Sequence, residues 1–215
     1  MKIIFEDARL IALDKPAGQL VIPGRGPGKG ETLQAEAERH TGAKLFVVHR
    51  IDGEASGLVL FVKDAEAHRG LCAQFAKRQV RKTYRALVLG VVAEDALIKA
   101  PIKEFGSGRM GVHPEGKPAQ TTLRVLARHA SSTLLEAEPH TGRRHQLRVH
   151  LYHAGHPILG DTVYGKERPV GGTPRLMLHA FKAQFLHPDG QAMTLEAPLG
   201  ADFEEVLREA ADRQD

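Results

Sequence analysis

Residues 58–63 read Leu-Val-Leu-Phe-Val-Lys, apolar at five consecutive positions and therefore apolar on both faces of an extended chain. A segment of that kind is stable only as an interior strand covered on both sides. The remaining sequence offers many short strand-like runs to surround it. These are KIIFED, RLIALDK and LVIP before residue 24, KTYRALVLG at 82–90, and the pair TTLRVLARHA and STLLEAEP at 121–139. LMLHAFKAQFLHP and QAMTLEAP follow at 176–188 and 191–198. Helical signals lie between them without regular alternation. Glu31 to Thr41 is closed by Gly42, and Asp64 is a natural N-cap for a helix to about Arg78, with His68, Leu71, Cys72 and Phe75 on one face. A third helix starts near Arg144, and FEEVLREAADR ends the chain. Scattered helices among many strands predict an α+β fold rather than a repeated βαβ array. The stretch from Ala96 to Pro118 reads as loop-rich, FGSGRMGVHPEGKP being its most irregular part. With no long linker or internal repeat, residues 1–215 read as a single domain.

Charge and cysteine usage narrow the class. One cysteine, Cys72, rules out an internal disulfide framework and a cysteine-rich zinc site. No apolar run approaches the roughly 18 residues of a membrane span, and Glu6 and Asp7 interrupt any secretory leader. A soluble, cytoplasmic protein is expected. Lys and Arg number 30 against 26 Asp and Glu, a net charge of +4, while the pI is about 9.3. So small an excess fits a local basic patch, not a wholly basic surface. With 5% aromatic residues and no tryptophan, a purely stacking single-strand binder is disfavoured.

Three clusters carry candidate chemistry. In His49-Arg50-Ile51-Asp52 an aspartate lies between an apolar run and a glycine turn, where it either caps the turn or faces a cleft. His49 and Arg50 favour the second reading, because nearby cations keep a carboxylate ionised. In HTGRRHQLRVHLYHAGH (140–156), helical spacing puts Leu147, Leu151 and Ala154 on a core stripe, and Arg144, Arg148 and Tyr152 on a stripe able to line a groove. Its five histidines are not a zinc site: no pair has the i, i+4 spacing, and Arg143, Arg144 and Arg148 would repel the ion. They are expected to serve as hydrogen-bonding core or surface groups. Tyr84 shares a strand face with Ala86 and Val88 and is either core or a surface on which a flipped base could stack. VIPGRGPGKG lacks the Lys-Ser/Thr pair of a nucleotide loop, and Pro27 removes an amide, but Arg25 and Lys29 there can meet a phosphate backbone.

In this order, six blocks resemble the RluA-type family of RNA pseudouridine synthases. They are DKPAG (14–18), HRIDGEASGLVLFVK (49–63), KTYRALV (82–88), GKPAQT (116–121), HTGRRHQLRVHLYHAGHPILGDTVYG (140–165) and LMLHA (176–180). Departures are few: the family's HRLD is HRID, its Thr-Ser-Gly is Ala55-Ser56-Gly57, and the Thr or Ser after Thr-Gly-Arg is Arg144. The resemblance implies a mixed, mainly antiparallel sheet with flanking helices and a central active-site cleft. It implies isomerisation of a uridine in an RNA stem-loop to pseudouridine, with no cofactor and no metal. Carried over by position, Asp52 is the catalytic carboxylate and Arg148 pairs with it. Tyr84 stacks on the flipped base, and Arg50 fills the space the base leaves. His49, Arg143, Arg144, Arg25, Lys29 and the Lys77–Lys82 cluster are the expected RNA contacts. The match is closest to the short, single-domain members acting on ribosomal and transfer RNA, without an N-terminal S4-type extension, which work as monomers. Two rivals differ in class: a catalytically silent RNA-binding module of the same fold, and a hydrolase with an Asp–His pair, which lacks a nucleophile elbow.

Overall fold

The computed structural model describes residues 1–24, 30–165 and 173–212. In chain order the elements are β1 (Lys2–Glu6), β2 (Leu10–Lys15), α1 (Leu33–Thr41), β3 (Phe46–Val47), β4 (Ser56–Val62), α2 (Ala65–Ala76) and β5 (Arg81–Leu89). Then come β6 (Ala96–Lys99), β7 (Ile102–Glu104), β8 (Met110–Val112), β9 (Gln120–Arg128), β10 (Ser132–Pro139), α3 (Gln146–His153), β11 (Leu178–Leu186), β12 (Ala192–Glu196) and α4 (Ala201–Asp212). The fold is α+β, and the residues group into two compact units: Met1–Lys82 with His179–Pro198, and Thr83–Leu178 with Leu199–Asp215.

In the first unit the apolar run is the interior strand its composition requires, since every residue of β4 is buried. Its neighbours are β2 and β3, antiparallel, and β11, parallel at His179↔Ser56 and Ala180↔Gly57. β1 extends the sheet beyond β2, and β12 pairs with β11. Leu58, Leu60 and Val62 pack with Ala67 and Leu71 of α2 and with Phe185. Asp64 caps α2 by accepting from the Ala67 amide, and Arg9 hydrogen bonds hold its carboxyl down at about 2. Gly57, at φ +107, sits where β4 and β11 touch: a Cβ there would fall 2.3 Å from the Ala180 carbonyl oxygen.

The expected strand LVIP does not form. The carbonyls of Leu20 and Val21 instead accept from the Leu33 and Gln34 amides, satisfying two orphan donors at the start of α1. An apolar tetrapeptide is thereby consumed as a helix cap.

In the second unit β9 and β10 form the expected hairpin, with a register shift between Leu134 and Leu135, and β10 continues to β5. Ion pairs reinforce that register: Arg85 donates to its cross-strand partner Glu136 at 2.8 Å. The stretch read as loop-rich between Ala96 and Pro118 holds three short strands. β6 pairs with β9, and β7 with β8. Their lengths of three and four residues leave too little alternation for a sequence pattern to reveal. Ile102, Ala119, Val149 and Tyr164 form a core that joins this hairpin to α3.

Candidate active site

Asp52 is half-buried at the start of a turn in which the Ala55 amide donates to its carbonyl at 3.2 Å. That turn is braced from below. Lys15, at the end of β2, has no exposed surface, and its Nζ donates to the carbonyls of Pro16, Gln19 and Gly53 at 2.8, 2.8 and 2.9 Å. The Gly18 amide also donates to Gly53, at 2.8 Å. One buried ammonium therefore ties the Asp-Lys-Pro-Ala-Gly turn to the turn that carries Asp52. A charge so deep is tolerable because three carbonyl dipoles replace its water. Sequence reasoning read Lys15 as the end of a strand-like run and as part of a family block, with no role for its ammonium.

The flanks of Asp52 are held as firmly. On one side, His49 Nε2 accepts from the Leu60 amide at 2.9 Å, and its ring stacks on Phe75 with centroids 5.0 Å apart. Burial first, and the nearby Lys82 charge second, push the imidazole down to about 3, so it is neutral and remains an acceptor. His49 is thus committed to packing, while its neighbour Arg50 is exposed. On the other side, Ser56 Oγ lies 2.8 Å from His179 Nδ1, and His179 Nε2 lies 3.0 Å from the Ala197 carbonyl. The carbonyl can only accept, so Nε2 carries the proton and the serine hydroxyl donates to Nδ1. Ser56-Gly57 and His179-Ala180, distant in sequence, are therefore one parallel contact. Lys82, whose ammonium lies 6.0 Å from the Phe75 ring centroid, is pushed below its ordinary value by burial, while Lys77, Arg78 and Arg81 are exposed.

In the second unit Tyr84 is half-buried on β5, in register with Ala137, and shares a face with Ala86 and Val88, both fully buried. The segment at 140–156 departs from its predicted geometry. α3 begins at Gln146 rather than near Arg144, and its cap residue His145 is left-handed at φ 53. Gln146 to Leu151 are all buried, so the helix is interior over its first turn and a half, and only Tyr152 and His153 at its end are exposed. Ala154, expected in the core, is the exposed C-cap, and Arg144 precedes the helix. Arg148 does not line an open stripe with Tyr152: it is 1% exposed, and Nε and Nη2 donate to Asp161 at 2.8 and 2.9 Å. Burial would raise the Asp161 carboxyl, but hydrogen bonds from Arg148 and its charge outweigh this and hold it below its usual value. Asp161 also accepts from the amides of Val163 and Tyr164. Sequence reasoning missed this fork-to-carboxylate pair, because Asp161 lies 13 residues beyond Arg148 and no helical spacing links them.

The loop before α3 is organised by Gln146. Its Oε1 accepts from Thr141 Oγ1 at 2.6 Å and from the Arg143 amide, and its Nε2 donates to the Gln120 carbonyl and Thr121 Oγ1. Arg143 and Arg144 are thereby presented at the loop, Arg143 reaching the Pro118 carbonyl and Arg144 pairing with Glu104. The histidines take individual partners: His140 bonds Thr122, His145 bonds Tyr164, His150 bonds Thr121 and Ala100, and His156 bonds Leu89. Among the described residues no three His, Cys, Asp or Glu side chains gather to hold a metal, and no helix is long and apolar enough to cross a membrane. Of the expected contacts, His49, Arg50 and Asp52 lie in the first unit, and Tyr84, Arg143, Arg144 and Arg148 in the second. Arg25 and Lys29 lie outside the described residues.

Residues 9–153 match the family model described as RNA pseudouridylate synthase. The chain is 40% identical to the ribosomal large subunit pseudouridine synthase D of Nitrosomonas europaea over 97% of its own length and 64% of that protein's. It is 41% identical to the ribosomal large subunit pseudouridine synthase C of Vibrio cholerae over 95% of its length and 68% of that protein's. It thus spans about two thirds of the length of these relatives. Among solved structures, human RNA pseudouridylate synthase domain containing 4 superposes with a TM-score of 0.81 at 26% identity, covering 97% of this chain and 92% of that one.

Proposed function

The chain belongs to the RNA pseudouridylate synthase family, and from that membership we propose that it isomerises a uridine within a folded RNA to pseudouridine, using Asp52. The N1–C1′ bond breaks, the uracil turns, and C5 joins C1′. No atom is gained or lost, so the task is to free the base, hold it and stabilise its separation from the ribose. The observation that carries this reading is the braced turn: Asp52 is a half-buried carboxylate whose backbone is tied down by Lys15 through Gly53. A carboxylate held in advance needs no reorganisation when it engages the ribose. It does so either as a nucleophile at C1′ or as the base that removes the 2′ proton.

The remaining assignments follow by position in the family pattern. Arg148 pairs with Asp52 and orients it while also holding Asp161. Tyr84 supplies the face on which the extruded uracil stacks, and exposed Arg50 enters the space the base vacates, lowering the cost of a few kcal/mol for unstacking. Arg143 and Arg144 meet phosphates. The names of the bacterial relatives favour ribosomal RNA as the substrate class.

The test is pseudouridine mapping of total RNA from cells with and without this gene, complemented by wild type or Asp52→Asn. We expect one ribosomal site to lose its signal in the deletion and to regain it only with wild type. Loss at neither ribosomal nor transfer RNA, or full rescue by Asp52→Asn, sinks the proposal, the latter in favour of a silent role for this carboxylate.

A further inference from the structure

In the second unit, the β7–β8 hairpin and α3 carry an aromatic and cationic cluster. Arg109 is exposed, with its guanidinium carbon 5.8 Å from the ring centroid of Tyr152 and 5.3 Å from that of Tyr164. The two rings are 6.2 Å apart. Tyr164 is buried and anchored, its hydroxyl accepting from the Met110 amide and bonding His145 Nδ1 at 2.9 Å. Tyr152 is 47% exposed, and Phe105, at the tip of the same hairpin, is 42% exposed. Large aromatic surface left in water beside a cation wants a partner that is both flat and anionic.

The local charge points the same way. Glu104 at the end of β7 and Glu115 beyond β8 are each paired with a cation, Arg144 and Lys103. Among the described residues, Arg109 meets aromatic rings and no carboxylate, and Arg143 meets a carbonyl. The patch keeps a positive excess around exposed rings, the combination that fits a nucleotide: the base on the ring, the phosphate on the guanidinium.

Building on the RNA-modifying role, we propose that Tyr152 and Arg109 form a second nucleotide site, on which an unpaired base of the RNA, other than the uridine being modified, stacks. Tyr164 positions Arg109 against Tyr152 without itself touching the RNA. The site selects for an unpaired nucleotide in the substrate and adds affinity, not chemistry.

The experiment compares binding of the full chain to a fluorescein-labelled twelve-residue oligouridylate and to an abasic phosphodiester of the same length. Wild type is expected to prefer the oligouridylate by about tenfold, Tyr152→Ala to lose most of that preference and Tyr152→Phe to keep it. Arg109→Ala is expected to lower the slope of log affinity against log salt by about 0.7. Because the chain has no tryptophan, quenching of tyrosine emission by oligouridylate, reduced in Tyr152→Ala, is a second readout. Melting temperatures identify any misfolded variant, and Tyr152→Phe tests the site without truncation. Equal binding of both probes by wild type, or an unchanged preference in Tyr152→Ala, overturns the site. Pseudouridine formation on total ribosomal RNA by the same wild-type preparation reports on the function itself. If it proceeds while the binding preference is absent, only the stacking site fails.

Discussion

Removing the Asp161 side chain is expected to strip a buried guanidinium of two of its acceptors. Arg148 and Asp161 are both about 1% exposed, and two hydrogen bonds of 2.8 and 2.9 Å join them in a fork geometry. Asp161→Ala leaves the guanidinium without those acceptors and also frees the Val163 and Tyr164 amides. Breaking a buried pair from one side costs about 3–5 kcal/mol, most of it the unreplaced solvation of the surviving ion. For a chain of this size each kcal/mol lowers Tm by about 2–4 °C, so a fall of roughly 10 °C is expected. Asp161→Asn, which can keep a neutral acceptor for the amides, should lose less. Replacing both partners, Arg148→Met with Asp161→Leu, should cost less than Asp161→Ala alone, because the guanidinium that loses the Asp161 acceptors is removed with them. Urea unfolding at pH 7 of wild type and the variants supplies the numbers. A cost under about 1 kcal/mol for Asp161→Ala, or a double variant worse than the single, would show that desolvation does not govern this pair.

Two other perturbations read the frame around Asp52. The imidazole of His49 has a folded pKa of about 3 and an ordinary value of 6.5, so the unfolded chain binds the extra proton between them. Stability is therefore full above pH 6.5 and falls as pH drops toward 3, by up to about 2 kcal/mol at pH 5; His49→Gln, which cannot titrate, should flatten that dependence in urea unfolding at pH 7 and 5, and an unchanged slope would count against a neutral buried imidazole. Lys15→Met removes the donor to three carbonyls and should destabilise by roughly 3 kcal/mol while lowering turnover through the displaced Asp52 turn. If that variant folds as wild type does and turns over RNA normally, the turn is held by other means.

Much of the architecture was legible from pattern. The double-sided apolar run 58–63 announced an interior strand, and Asp64, Thr41-Gly42 and the 121–139 hairpin carried local signals that the fold obeys. What escaped had one cause: the deciding partner lay far away in sequence. LVIP was apolar enough for a strand, but the amides of Leu33 and Gln34 took its carbonyls. The strands within 96–112 are too short to show a period and exist because β9, and one another, pair with them.

The same division holds at the site. Residue order along the chain was enough to point to a family and so to nominate Asp52, Tyr84 and Arg148 as candidates, because motif identity and spacing are properties of the chain itself. The support beneath them was not visible there. Lys15 reads as the end of a strand-like run until its ammonium is found enclosed by three carbonyls, and Arg148 reads as a groove cation until Asp161 is found beside it in the interior. Burial and hydrogen-bond partnership depend on what folds against a side chain. A string of letters specifies that environment but does not display it, so the roles of Lys15, His49, Gln146 and Asp161 emerge only once the chain is packed.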